Sequence, residues 1–282
     1  MRLMKLCAIR RPFIILVVAE STPAECIRQI ELGEQLRVDG FEINLAPLRG
    51  QNFSDIFAST SRPCIVSNRR PEFMKLYGYR NLPRTNERER VQKLLQALNG
   101  GARVVDYELD TFVEGNAHID LPFGSRQEAI YARNPRSRPT QLSMNPQVAN
   151  RQTNLSHEIK TVGGEVLISC HTQTQIRKRE AFVILRTMER READFGKIVV
   201  HTFDLTDLGN FLSTTIDLKK SALIPFNLMN FGEYSKLGRL LSVLFGSAWI
   251  YCRASSKKSF VGQPTVHETR EFLEKYCLPR NC

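Results

Sequence analysis

The stretch ADFGKIVVHT, residues 193–202, places Lys197 at the head of a β-branched run, and VLISCH, residues 166–171, ends another such run on His171. An unpaired ammonium is costly to bury, so a lysine inside an apolar interior is pushed toward the neutral amine. A neutral amine is a nucleophile that condenses with a ketone, and the resulting iminium acidifies the adjacent carbon. A histidine on the neighbouring strand is suited to move that proton at neutral pH. The plainer alternatives are a strand-edge lysine whose stem snorkels to water and a hydrogen-bonded core histidine.

Eight apolar runs could position these groups: FIILVVAE from 13, GFEINL from 40, CIVSNR from 64, VVDYEL from 104, VLISCH from 166, KIVVHT from 197, SALIPFNL from 221 and SAWIYC from 247. Most are apolar on both faces, as parallel strands covered by helices must be. Segments of helical period lie between them. One opens with Thr22, Pro23 and Glu25 as a capping box; another has Asn86 as cap, Val91, Leu94, Leu95 and Leu98 on one face, and a Gly-Gly stop. This alternation predicts an α/β fold, a (β/α)8 TIM barrel forming one domain over residues 1–282. No GxGxxG motif follows any strand, which weighs against a dinucleotide-binding sheet.

Catalysis in such barrels is carried at the C-terminal strand ends. The polar residues expected there are Glu42 and Asn44 on strand 2, Arg69 after strand 3, Asp106 and Glu108 on strand 4, His171 closing strand 5 and Lys197 opening strand 6. The interval after strand 4, residues 112–163, is rich in Asn, Gln, Pro, Ser and Arg. It is expected to be a flexible loop insertion, with a pocket cover as the alternative.

The net charge of +11 brings nucleic acid into consideration. However, the aromatics are not interleaved with the basic residues as a stacking platform requires. The densest basic run, RKREAFVILRTMERRE, carries Ala181, Ile184, Leu185 and Met188 at helical spacing and reads as a core-packed helix with a solvated basic face. Neither nucleic acid nor membrane is expected as a partner, and the charge suits a small anionic substrate. Seven scattered cysteines without CxxC or zinc spacing predict reduced thiols in a cytoplasm, and no metal site. The basic residues and short apolar run at the start read as a first buried strand rather than a signal peptide.

The order of VVDYEL, LISCH, ADFGKIVV, GRLLSVLFGS and SFVGQ resembles type I 3-dehydroquinate dehydratase, the Schiff-base-forming dehydratase of the shikimate pathway and so of aromatic amino acid biosynthesis. The likeness runs from about residue 13 to 275, apart from the insertion. It implies a lyase in a (β/α)8 barrel, often dimeric, that needs no cofactor and eliminates water from 3-dehydroquinate, a cyclic keto acid, to give 3-dehydroshikimate. By the same resemblance, Lys197 forms the imine and His171 shuttles the proton. Arg239 binds the substrate carboxylate, Glu42 and Arg69 address substrate oxygens, and Ser259 and Gln263 lie on a loop that closes over the substrate.

The chain also departs from the family pattern. On strand 2 the family's arginine is replaced by Asn44, and its aspartate by Ala46; after strand 3, Phe73 or Met74 stands at the place of an acid that partners the histidine. Two other readings follow: a Schiff-base lyase acting on another keto acid, and a catalytically impaired binding homologue.

Overall fold

The computed structural model describes residues 12–50, 53–75, 78–79, 82, 85–113, 141–172, 175–254 and 262–276. Along the chain, β1 (Phe13–Val18) leads to α1 (Pro23–Gln35), β2 (Gly40–Asn44), α2 (Ser54–Ala58), β3 (Cys64–Ser67), α3 (Pro71–Lys75), α4 (Glu87–Asn99) and β4 (Val104–Glu108). Then follow α5 (Pro146–Thr161), β5 (Glu165–His171), α6 (Lys178–Arg190), β6 (Phe195–Thr202), α7 (Leu205–Ser221), β7 (Phe226–Gly232), α8 (Ser235–Phe245), β8 (Trp249–Cys252) and α9 (Val266–Tyr276). The strands form one sheet in the order β7-β6-β5-β4-β3-β2-β1-β8, the strand succession of the expected (β/α)8 barrel.

Two compact units divide the chain. One comprises residues 1–106, 162–165 and 248–282; the other comprises 107–161 and 166–247. Within the first, β1 pairs in parallel with both β2 and β8, and β2 with β3. Helix α1 starts as its sequence dictates, with Thr22 accepting from the Glu25 backbone N–H at 3.3 Å and proline in its first turn. Asn86 and Glu89 close a reciprocal capping box on α4. A Cβ on Gly33 of α1 would meet Leu16 Cδ2 at 2.8 Å, and also the Phe41 ring. Leu16 and Phe41 therefore face the helix, and their alternating neighbours Val17 and Glu42 face the other side of the sheet.

Within the second unit, β5, β6 and β7 pair in parallel. Helix α6 buries Ala181, Ile184, Leu185 and Met188 while Lys178 and Arg179 stay exposed, as the basic run predicts. Two boundaries differ from the sequence reading. Strand β7 starts at Phe226 rather than 221, because residues up to Ser221 continue α7. Strand β6 starts at Phe195, so Lys197 is its third residue and not its opening one. Residues 146–161, inside the stretch expected to be an insertion, form α5, which buries Val148, Leu155 and Ile159. Residues 114–140 of that stretch lie outside the described residues.

Cys26, Cys64, Cys170 and Cys252 are buried thiols. Burial pushes Cys26 up to about 11 and Cys64 up to about 12, so both are protonated at neutral pH. Among the described residues, no helix is long and apolar enough to cross a membrane.

Candidate active site

Gly196 fixes the direction in which Lys197 points. A Cβ there would meet Leu185 Cδ1 at 2.7 Å and Met188 Sδ at 3.2 Å, both on α6. Gly196 thus lies against the helix layer, and Lys197, one residue on, faces the opposite side of the sheet. Its neighbours in register are Ser169 on β5 and Asn227 on β7, and Lys197 is only 4% exposed. The amine therefore belongs to a buried row partway along the strands rather than to a strand end.

His171 lies two residues beyond Ser169 on β5 and so faces the same side as Lys197, one row further along. Strand spacings put the two backbones about 8 Å apart. His171 is 5% exposed. Its backbone N–H donates to Gln141 Oε1 at 3.0 Å, and its Nδ1 lies 2.7 Å from the same oxygen. No motif in the sequence pointed to Gln141, which falls within a stretch expected to be a flexible insertion.

Arg239 is 2% exposed on α8. Its Nε donates to the Asn230 carbonyl at 3.1 Å, and its guanidinium carbon lies 5.3 Å from the centre of the Phe231 ring. The Asn230 side chain donates to Thr202 Oγ1 at 2.8 Å and lies against Gly238, where any Cβ would collide with it. The missing side chain at Gly238 is what lets the residue before Arg239 approach the strand this closely.

The first unit holds a different polar cluster. Arg69, buried on the segment after β3, is ion-paired to Asp106 on β4 and lies 3.5 Å from Glu42 on β2. Ser67 Oγ donates to Glu42 Oε1 at 2.9 Å. Tyr251 on β8 has its phenol pushed well up, first by burial and then by the nearby Glu42 and Asp106 charges. Glu108, which belongs to the second unit, is also buried.

Beside this cluster, Asn44 Nδ2 donates to Met74 Sδ at 3.2 Å and Asn44 Oδ1 accepts from the Ala46 N–H at 3.0 Å. Asn44 thus touches Met74, one of the two residues, with Phe73, that could stand at the place of the family's acid. Gln263 is buried, and its side-chain oxygen has no hydrogen-bond partner among the described residues. Ser259 lies outside the described residues. Among the described residues, no group of three or more His, Cys, Asp or Glu is placed to hold a metal ion.

Comparison with known proteins meets the geometry at this point. Residues 139–276 match the sequence model of type I 3-dehydroquinase. The 3-dehydroquinate dehydratase of Enterococcus faecalis is 32% identical over 138 residues, 48% of this chain, and the chain spans only 53% of that relative's length in the match. The solved 3-dehydroquinate dehydratase of E. faecalis superposes with a TM-score of 0.68 at 20% identity, covering 94% of both chains. That of Geobacillus kaustophilus gives 0.72 at 20% identity over 97% of this chain and 96% of its own. The structural likeness carries the barrel fold; the matched segment contains His171, Lys197 and Arg239. The sequence likeness to type I 3-dehydroquinase thus rests on residues 139–276, just under half of the chain.

Proposed function

We propose that this protein is a 3-dehydroquinate dehydratase working through a lysine imine. The observation that carries the proposal is the register of β5 and β6, with Lys197 buried one row from His171 on the same side of the sheet. The Lys197 nitrogen attacks the substrate ketone, and water leaves to give the iminium. His171 takes the proton from the neighbouring carbon, and the electron pair released forms an enamine. That enamine expels the hydroxyl on the next carbon, which departs as water with the proton His171 returns. A second water hydrolyses the imine and frees both the lysine and 3-dehydroshikimate.

Arg239 is the proposed carboxylate ligand, since a guanidinium matches two carboxylate oxygens and its orientation is supported by the Asn230 carbonyl. Glu42, Arg69, Ser259 and Gln263 are proposed to address the other substrate oxygens. For Gln263, the side-chain oxygen without a partner among the described residues supports this role. We place the enzyme in the cytoplasm as a homodimer on the family's habit.

A second reading keeps the imine chemistry and changes the keto acid. It is favoured by Asn44, whose amide is engaged at both ends by Met74 and Ala46 rather than being held ready for a substrate hydroxyl. The experiment is borohydride reduction in the presence of 3-dehydroquinate, read by mass spectrometry alongside ultraviolet assay of product. Substrate mass on Lys197, and loss of both mass and turnover in Lys197→Ala, are expected. Absence of adduct and turnover with 3-dehydroquinate, but adduct with another cyclic or linear keto acid, would move the assignment to the second reading.

A further inference from the structure

We propose that Gln141 is a positioning residue that holds His171 as the Nδ1–H tautomer and so leaves Nε2 as the atom that moves the proton; the proton-transfer part rests on the dehydratase reading. One side-chain atom of Gln141 faces both the His171 backbone N–H, at 3.0 Å, and the His171 Nδ1, at 2.7 Å. A backbone N–H can only donate, so the Gln141 atom it meets is the amide oxygen and not the amide nitrogen. That oxygen carries no proton and can only accept. The Nδ1 atom at 2.7 Å must therefore carry the hydrogen, and in a neutral ring the lone pair is left on Nε2. The backbone bond and the ring bond share one acceptor, which fixes the rotation of the ring as well as its tautomer.

The placement of Gln141 is itself fixed by a buried network two residues further along. The Ser143 carbonyl accepts from the guanidinium of Arg191, which also donates to the Leu109 carbonyl at 3.0 Å and to the Gln152 side chain. Gln152 in turn donates to the carbonyls of Leu109 at 3.0 Å and Thr111 at 2.7 Å. Leu142, between Gln141 and Ser143, is completely buried. A segment whose composition suggested a loose insertion is thus clamped at its return to the barrel, and the first described residue of the clamp touches the histidine. A neutral amide oxygen sets the tautomer without adding a charge beside the imidazole, as a carboxylate would.

The test is nitrogen-15 NMR of histidine-labelled protein above the imidazole's titration, with His171→Asn used to assign the signals. The expected result is a protonated Nδ1 and an unprotonated Nε2 for His171 in the wild type. Gln141→Leu should shift His171 toward the other tautomer while the remaining histidine signals stay in place. It should also lower kcat by roughly 10- to 100-fold with KM changed less than about twofold, since correctly placed proton transfer contributes on this scale. Gln141→Glu, which restores an acceptor, should recover the tautomer. A wild-type His171 protonated on Nε2, or a Gln141→Leu protein with unchanged tautomer and kcat, would overturn the proposal. The NMR reading requires no turnover, so an inactive protein with the expected tautomer would count against the dehydratase reading and leave the positioning role standing.

Discussion

Residues 139–276 and residues 12–113 bury polar groups in different ways. In the later region, His171 and Arg239 hydrogen-bond to neutral acceptors, the Gln141 amide and the Asn230 carbonyl. In the earlier region, Arg69 is held by two carboxylates, Asp106 and Glu42. A cation held between carboxylates has much of its charge offset by them. The family match falls on the region with the neutral acceptors, while over the whole chain the likeness to solved dehydratases is one of fold, at 20% identity. The contrast sets a buried ion cluster on the earlier strands against the neutral acceptors that meet His171 and Arg239 in the matched region.

That contrast can be broken by mutation. The largest effect is expected from His171→Ala, which should cut turnover by roughly 100- to 10,000-fold. Borohydride should still trap substrate on Lys197 in that variant; loss of trapping as well would mean that the histidine is needed for imine formation or folding. In the earlier region, Arg69→Met should act on stability first. It leaves Asp106 and Glu42 buried without their cation, at a cost of about 3–5 kcal/mol, read by urea unfolding. A fully stable but inactive Arg69→Met would show instead that this arginine serves substrate more than framework.

Gly238→Ala comes next, at about 1–3 kcal/mol, because its Cβ collides with the Asn230 side chain, whose residue also supplies the acceptor for Arg239. A rise in KM larger than the loss in thermal stability would tie that packing to the anion site. The smallest effect belongs to Asn44→Ala. Losing its two hydrogen bonds, one of them to sulfur, should cost about 1 kcal/mol and leave KM for 3-dehydroquinate within about twofold. A large change in KM would restore Asn44 to the substrate and remove the support for another keto acid.

Most of the strands and the capped helices were legible because their signals are local. The β-branched runs, the Thr22 and Asn86 caps and the apolar stripe of α6 each report a conformation within a few residues. The start of β7 differs from the sequence reading because Ala222 and Leu223 extend the apolar run backward, while α7 runs on to Ser221. The order around Gln141 was not legible because composition records how little apolar surface a stretch carries. It does not record that Arg191, a single buried guanidinium, gathers the Ser143 and Leu109 carbonyls and the Gln152 side chain.

The sequence by itself determined that a lysine and a histidine would stand on successive strands of an α/β barrel, since residue type and a two-residue side-chain period need no knowledge of the chain path. Only the tertiary structure decided that Lys197 lies in a buried row partway along β6, and that Asn44 meets Met74. It alone brought Gln141 to His171 across thirty residues. Those contacts join segments distant in sequence, and their geometry depends on the route the backbone takes between them.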